Sequence, residues 1–384
     1  MHSSAVVEER EVALSSAGWR PGRRALAAAL VLWIASNIFV TCIAQVATWE
    51  GMGTYRRMAD LCKWDCLWYS TVVESGYSRG GATQFGEANW VFPPLFPISA
   101  YPLHQWLKLS LHGSLVLAGK LELLLAIYAF MLMMSGEAQT TRELFRAGSL
   151  VAFNPYIIYA HAGYAEPLYF ALIALAFYFA GRKQWLLAGA AGGLSSATRV
   201  VGAVFAGAYV VSWLRSSDWR ARWRRLDLNA ILGLLLCPFG TAQCMLFLYH
   251  HMGDALALQH GHVAWGRELR NPLETLWSCL SQTHWPRIWA LMMIAAWLAT
   301  CWLFKLRKFE MGTYMVLALL LATLDAMPGY WGVPRYIWWQ PPLLYAIYRM
   351  LRRSDAAWLV YTALAAGMAA FMVVEWFSGH NFVV

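Results

Sequence analysis

From Ala25 onward, apolar residues come in long unbroken runs separated by short polar breaks. The first run is Ala25–Ala47. Later ones cover Gly113–Met134, Ala147–Ala162, Pro167–Gly181, Trp185–Thr198, Arg199–Leu214, Leu228–His251, Ile288–Phe304, Met311–Met327, Tyr336–Met350 and Ala356–Phe377. A helix crossing a bilayer needs about 20 largely apolar residues. The strands of a membrane barrel alternate instead, so continuous runs exclude one. The pattern predicts an all-α polytopic integral membrane protein with about eleven transmembrane helices. Ala25–Ala47 is too long for a signal-peptide core and is read as an uncleaved first span.

The breaks carry as much information as the runs. The stretch 185–214 is long for one helix and has basic residues at both ends. Two short helices meeting near Arg199 satisfy it and place Arg199 toward the outer face. Gly189 and Gly193 form a G-x-x-x-G pair, which permits close helix contact within the bundle. The segment 92–111 contains Pro93, Pro94, Pro97 and Pro102 and is expected to lie along the outer interface. With that segment flat, 19 of the 30 Lys and Arg fall on the side of the N-terminus. The positive-inside rule then gives a cytoplasmic N-terminus and an outer C-terminus. The expected organisation is a single membrane domain over 1–384: a cytoplasmic tail at 1–24, an outer catalytic loop with interfacial helices at 48–112, and the remaining bundle at 113–384.

Composition agrees. The chain is 59% hydrophobic and 13% charged, whereas soluble domains run about 45–50% apolar and about 25% charged. A soluble enzyme, a disordered chain and a coiled coil are excluded. The net charge of +9 is read as cytoplasmic-side anchoring, and no nucleic-acid partner is expected. The densest basic run, Arg215–Arg225, is short and lies between apolar stretches. Cys62 and Cys66, four apart, could share a helix face or form a disulfide. His250, His251, His260 and His262 lack a Cys or carboxylate at ligand spacing, so no metal site is assigned.

The candidate chemistry lies in the outer segments. In KWDCLWYSTVVESGY (63–77), Trp64, Leu67, Trp68, Thr71 and Val72 follow helical spacing and predict an interfacial amphipathic helix with Asp65 at its border. Asp65 could be a general base, a headgroup ligand, or merely a charge favouring the helix dipole. In FNPYIIYAHAGYAEP (153–167), Asn154-Pro155 interrupts an apolar run, and Glu166 lies at the outer end beside His161 and Tyr164. Glu166 could share a polar cavity with Asp65 or end a solvated loop. An Arg at membrane depth costs about 2.5–3.5 kcal/mol, so Arg199 needs a partner, either Glu166 or a substrate phosphate. Arg335 could bind phosphate or snorkel to the interface. Lys120 and Glu122 are two apart within one span, do not face each other and receive no role. Two carboxylates and two arginines at one face suit transfer from a lipid-linked anionic donor. A base activates an acceptor hydroxyl, and cations stabilise the departing phosphate.

In order, W-D-x-x-W-Y…G-Y, F-P-P-L-F-P, F-N-P…Y-A-E and A-T-R-V-V-G resemble the signatures of the PIG-V mannosyltransferases, and their bacterial members most. A weaker match follows at Pro334-Arg335-Tyr336. Pro167 stands where the family usually has Ser, and Val201 where it often has Asn or Thr. The resemblance implies a GT-C superfamily fold with its active site in the first outer loop. It implies inverting transfer of mannose from a polyprenyl-phosphate-mannose donor to a lipid or glycan acceptor. Asp65 and Glu166 match the family's acids, and Arg199 its A-T-R arginine. Asp65 and Glu166 are therefore expected to be catalytic, and Arg199 and Arg335 to bind the donor phosphate. Trp64, Tyr69, Tyr77, Tyr164 and His161 are expected to bind substrate. No cofactor is assigned, and a divalent cation is left open. The expected setting is a bacterial inner membrane with the site facing the periplasm or exterior, or alternatively an endoplasmic reticulum membrane with a lumenal site. A lipid-linked-sugar transporter or flippase is the competing class, although no inverted repeat is visible.

Overall fold

The structure is a computed structural model, and it describes residues 21–78, 88–216, 227–267, 269–324 and 328–379. Every regular element among them is helical. Most of the basic run, from residue 217 to Arg225, lies outside the described residues.

The first helix, α1 (Pro21–Trp49), turns Leu26, Leu30, Ile34 and Ile38 outward. It buries Ala25, Ala29, Leu32, Ser36, Val40 and Ala44. Small residues inside and large ones outside are expected where the solvent is lipid, because close packing rather than hydrophobic exclusion joins the helices. A polar segment follows, and α2 (Asp65–Ser75) starts within it. Leu67 and Thr71 are exposed and Cys66, Tyr69, Ser70 and Val73 buried: a helix forms here as expected, but its two faces do not separate into apolar and polar. Trp64, however, precedes the helix instead of belonging to its outer face. Next comes α3 (Leu95–Gln105), packed on α2 and on α4 (Leu111–Met133). At 11 residues it is about 16 Å long, against a hydrocarbon core of about 30 Å. It cannot cross, as the proline-rich sequence implied.

The expected span 147–162 is two pieces. α5 (Thr141–Ala152) begins in a Thr140/Glu143 capping box and stops before Asn154-Pro155. The short α6 (Ile158–His161) follows. Proline cannot donate to the helix ladder. The Asn154 side chain instead accepts from the Tyr156 amide at 2.9 Å and donates to the Trp338 carbonyl at 2.8 Å. Then α7 (Glu166–Gly181) runs to the other end of the bundle, with Pro167 in its first turn. It packs between α4 and α8 (Trp185–Thr198) and is buried along most of its length. Arg199, in extended conformation, ends α8, and a 3-10 turn at Val200–Val204 leads into α9 (Phe205–Arg215). The two-helix reading of 185–214 therefore holds. Gly202 makes the reversal possible: a Cβ there would lie 2.5 Å from the Ser195 carbonyl carbon and the Ser196 amide.

α10 (Leu228–Leu236) and α11 (Phe239–Met252) meet at a 49° bend. Gly189 of α8 lets α10 approach so closely that a Cβ would fall 1.9 Å from the Gly233 carbonyl oxygen. This confirms the predicted in-bundle contact. Short helices α12 (Ala257–Gly261) and α13 (Pro272–Ser281) precede α14 (Trp285–Lys305) and α15 (Phe309–Leu324). The expected span 336–350 is also divided, into α16 (Val333–Trp338) and α17 (Pro341–Leu351). The last described helix is α18 (Asp355–Ser378), which lies against α1.

Among the described residues, four helices are long and apolar enough to cross a membrane, and the bent α10–α11 pair makes a fifth. Three further apolar helices are shorter. The remaining expected spans are therefore broken or short helices.

The two ends of the bundle differ in chemistry. Glu166 starts α7, and Gln340 precedes α17 at the same end. Arg182 follows α7, and Arg349 lies in the last turn of α17, at the other. At that second end Glu137 is clamped by Tyr345, Arg349, Arg352 and Lys308 at 2.7–3.3 Å. If this end is cytoplasmic, as the charge distribution predicts, a cysteine introduced at Gln139 will resist an impermeant maleimide added to intact cells and react once the membrane is opened. Labelling of intact cells would reverse the orientation.

Candidate active site

The polar loop before α2 is held in an unusual shape. Cys62 and Cys66 form a disulfide across Lys63, Trp64 and Asp65. Trp64 carries φ 48° and ψ −114°, a backbone region that costs a non-glycine residue about 1–3 kcal/mol and persists only when its surroundings impose it. Those surroundings come from the far end of the chain. The Trp376 ring packs edge-on against Trp64 with centroids 4.5 Å apart, its indole N–H donates to the Leu61 carbonyl at 3.1 Å, and the Lys63 ammonium donates to the Trp376 carbonyl at 3.0 Å. Partial burial lowers the pKa of that ammonium. The Tyr164 hydroxyl accepts from the Asp65 amide and donates to the Lys63 carbonyl, both at 3.2 Å.

Asp65 is thereby fixed as the first residue of α2. Its Oδ2 lies 2.7 Å from Nη2 of Arg335 on α16. Arg335 is 6% exposed, so of its two readings the snorkelling one does not hold. Its Nε is 3.5 Å from Oε1 of Glu166, which also accepts from Nη1 of Arg199 at 2.5 Å. Asp65, Arg335, Glu166 and Arg199 thus form one alternating line of charge, with both carboxylates on a single guanidinium. Tyr159 and Tyr164 flank Arg335 at 5.3 and 5.4 Å. Nε and Nη1 of Arg335 and Oε2 of Glu166 are buried and have no hydrogen-bond partner among the described residues.

Arg199 and Arg335 border a cavity of about 690 Å³ whose lining is mixed. It includes Trp64, Asp65, Tyr69, Gln259, His262 and Arg267 together with aliphatic Val200, Val201, Leu319, Leu321, Ala322 and Ile337. Tyr336 also lines it: its hydroxyl accepts from Arg267 at 2.7 Å and from Arg335 at 3.1 Å, and Arg199 lies over its ring at 4.1 Å. Burial raises the pKa of the Tyr69 phenol well above its usual value, and Glu166 adds to the effect, so Tyr69 remains a neutral hydrogen-bonding group.

Of the residues expected in the site, Trp64, Tyr69, Asp65, Arg199 and Arg335 line the cavity, and Glu166 lies directly behind the two arginines. Tyr164 orients the Asp65 backbone and is not part of the lining. Tyr77 donates to the Phe92 carbonyl at 2.7 Å and also lies outside it. His161 is placed elsewhere. It is fully buried between Ser36 at 3.1 Å and Lys120 at 3.0 Å, because α6 turns it toward α1 and α4. Lys120 and Glu122 have separate partners, as expected: Lys120 bonds Asn37 and His161, and Glu122 bonds Ser99. Arg267, Tyr336, Gln259 and His262 were not singled out as site residues from the sequence. Only Tyr336 carried a signal, as the neighbour of Arg335 in the Pro-Arg-Tyr motif. Among the described residues, no three His, Cys, Asp or Glu side chains converge as metal ligands.

No protein-family model matches the chain, and no curated protein matches it by sequence. The bundle is similar to crystal structures of ArnT from Cupriavidus metallidurans. With the form bound to undecaprenyl phosphate, the TM-score is 0.50 at 18% identity, over 89% of this chain and 63% of that one. With the apo form, the TM-score is 0.47 at 17% identity, over 86% and 63%. This chain therefore spans less than two thirds of the length of ArnT. The likeness to the bound form, with the apolar helices, establishes the fold as an all-α membrane bundle like that of ArnT.

Removing one partner of a buried ion pair strands the others and costs about 3–5 kcal/mol. Arg335→Met leaves Asp65 without its cation and Glu166 with Arg199 alone. It should lower the thermal unfolding midpoint in detergent well below that of Arg142→Met, which removes only an exposed contact to Asp355. Equal midpoints would show that Arg335 does not hold the carboxylates.

Proposed function

We propose that this chain is an integral membrane glycosyltransferase of the PIG-V-like kind, moving mannose from a polyprenyl-phosphate-linked donor to a hydroxyl of a lipid or glycan acceptor, with inversion. The observation that carries this reading is the line Asp65–Arg335–Glu166–Arg199 beside a cavity with an aliphatic part. An isoprenoid phosphate needs both features together: apolar surface for its chain, and cations for an anion that gains charge as the bond to sugar breaks. The undecaprenyl phosphate bound to the similar ArnT structure is a ligand of this class. The ordered sequence motifs support mannose, and the charge distribution supports a site on the non-cytoplasmic face of a bacterial inner membrane. On this reading 48–112 is the catalytic loop of one membrane domain.

The chemistry follows from the geometry. Asp65 takes the proton of the acceptor hydroxyl as its oxygen attacks the anomeric carbon. The carbon–oxygen bond to phosphate breaks, and its electron pair stays on the phosphate beside Arg199 and Arg335. Glu166, between the two arginines, sets their spacing. Trp64 and Tyr69 offer aromatic and hydroxyl surface to the sugar.

General-base catalysis contributes about 10²–10⁴-fold. Asp65→Asn should reduce turnover by about that factor in purified protein given polyprenyl-phosphate-mannose, while the protein still inserts. Glu166→Gln should be milder. Arg199→Lys keeps the charge but loses the planar fork and should raise the donor KM. Near wild-type turnover in Asp65→Asn with a dead Glu166→Gln would move the base to Glu166.

A further inference from the structure

The ion pair between Asp65 and Arg335 creates a conflict for the proposed reaction. The carboxylate assigned to take a proton has one of its oxygens, Oδ2, engaged by a guanidinium at 2.7 Å. That guanidinium also reaches Glu166, at 3.5 Å, and it borders the cavity where the donor's phosphate would lie.

The hydrogen-bond pattern around Arg335 suggests how the conflict resolves. Nη2 serves Asp65 and the Tyr336 hydroxyl. Nη1 and Nε, both buried, have no hydrogen-bond partner among the described residues, although such groups are nearly always paired. The two carboxylates are not equally secured. Glu166 is 1% exposed and has Arg199 at 2.5 Å as a second cation. Asp65 has a 13% exposed side chain and, among the described residues, an ion pair with Arg335 alone. An anion arriving at Nη1 would add a third negative charge to a poorly solvated cluster in which two guanidinium groups already face two carboxylates. Asp65 is the least tightly held of the three.

We propose that the donor's phosphate competes with Asp65 for Arg335, so that the carboxylate becomes free to accept a proton only when the donor is in place. This rests on the donor reading above and adds a regulation to it. Before loading, Asp65 is locked and the site does not activate a hydroxyl. Once the phosphate draws on Nη1, Asp65 is released toward the cavity and takes the acceptor's proton as the new carbon–oxygen bond forms. The old bond to phosphate breaks with its electron pair left on the phosphate, still beside Arg335 and Arg199. Glu166 does not exchange and anchors both arginines throughout. The arrangement orders the two substrates, donor first, and suppresses wasteful activation of water in the unloaded site.

The test is equilibrium binding of undecaprenyl phosphate, which needs neither sugar nor acceptor. It is made on the full chain in nanodiscs at fixed salt. If Asp65 competes with phosphate, removing its charge tightens binding. Couplings between two ligands of one element are typically about 5–150-fold, so Asp65→Asn should lower Kd at least about fivefold. The gain should vanish in an Arg335→Gln background. Asp60→Asn, a carboxylate of the same loop that caps the Arg56 and Arg57 amides, should leave Kd unchanged. Unchanged or weaker binding by Asp65→Asn, or a gain that persists without Arg335, overturns the exchange while leaving the donor reading intact. Failure of the wild type to bind undecaprenyl phosphate overturns both. Should Asp65→Asn not fold, Asp65→Ser is the second variant. The wild type supplies an independent measurement, an infrared difference spectrum with ¹³C-labelled aspartate. A shift of the carboxylate stretch on adding undecaprenyl phosphate supports release, and no shift opposes it.

Discussion

A guanidinium buried between two carboxylates has to be solvated by protein or not buried at all. Arg335 meets that requirement through Asp65, Glu166 and the Tyr336 hydroxyl, with the rings of Tyr159 and Tyr164 on its flanks. Each partner arrives from a different segment, so each segment has to be irregular where it delivers its group. The short α6 supplies Tyr159 and its link to α7 supplies Tyr164, the start of α7 supplies Glu166, and the short α16 carries Arg335 itself. Replacing such a network by apolar residues is often neutral or stabilising, so stability alone does not account for it. The arrangement makes physical sense as a site held ready for an anion.

The lipid environment explains where irregularity is tolerated. Backbone freed from helices is affordable at membrane depth only where protein buries it or a cavity solvates it. The extended residue Arg199, the turn at Val200–Val204 and the interruption between α16 and α17 all border the same cavity. Where the bundle touches lipid, helices such as α1 and α18 are long and unbroken, with Leu26, Ile34, Leu359 and Leu364 outward. These breaks therefore mark the site, whereas the α5–α6 break and the α10–α11 bend lie away from its lining.

Much of this was legible from residue order. Continuous apolar runs identified a membrane bundle, the prolines around Pro93–Pro102 marked a helix too short to cross, and the Arg199 break was visible in its flanking charges. Asp65, Glu166, Arg199 and Arg335 stood out because a charge near apolar sequence demands a partner. Which charges would pair was not readable, since Asp65 and Arg335 are 270 positions apart and no local period links them. His161 misled for the same reason: its place near Glu166 in sequence suggested the site, but α6 points it at Lys120. Arg267 and Gln259 lie in a polar stretch without periodicity, where position alone gives no hint of a cavity wall. The count of about eleven spans is not confirmed by helix length, because a hydrophobic run records burial and not length; α6, α16 and α17 are short and largely enclosed.

The docking of α18 on the loop before α2 has a consequence for how the protein is made. Lys63 and Trp376 are 313 residues apart. At translation rates of about 5–20 residues per second, the loop that carries Asp65 leaves the ribosome roughly 15–60 s before the indole that braces it. During that interval the nascent chain carries an unsupported polar loop beside a half-built membrane bundle. The Cys62–Cys66 bridge spans only four residues and needs nothing downstream, so it can close early in an oxidising compartment and preserve the loop's shape until the last helix arrives. The shape around Asp65 then depends on α18, because a bundle arrested before that helix inserts has the carboxylate in place without the wall that braces its loop.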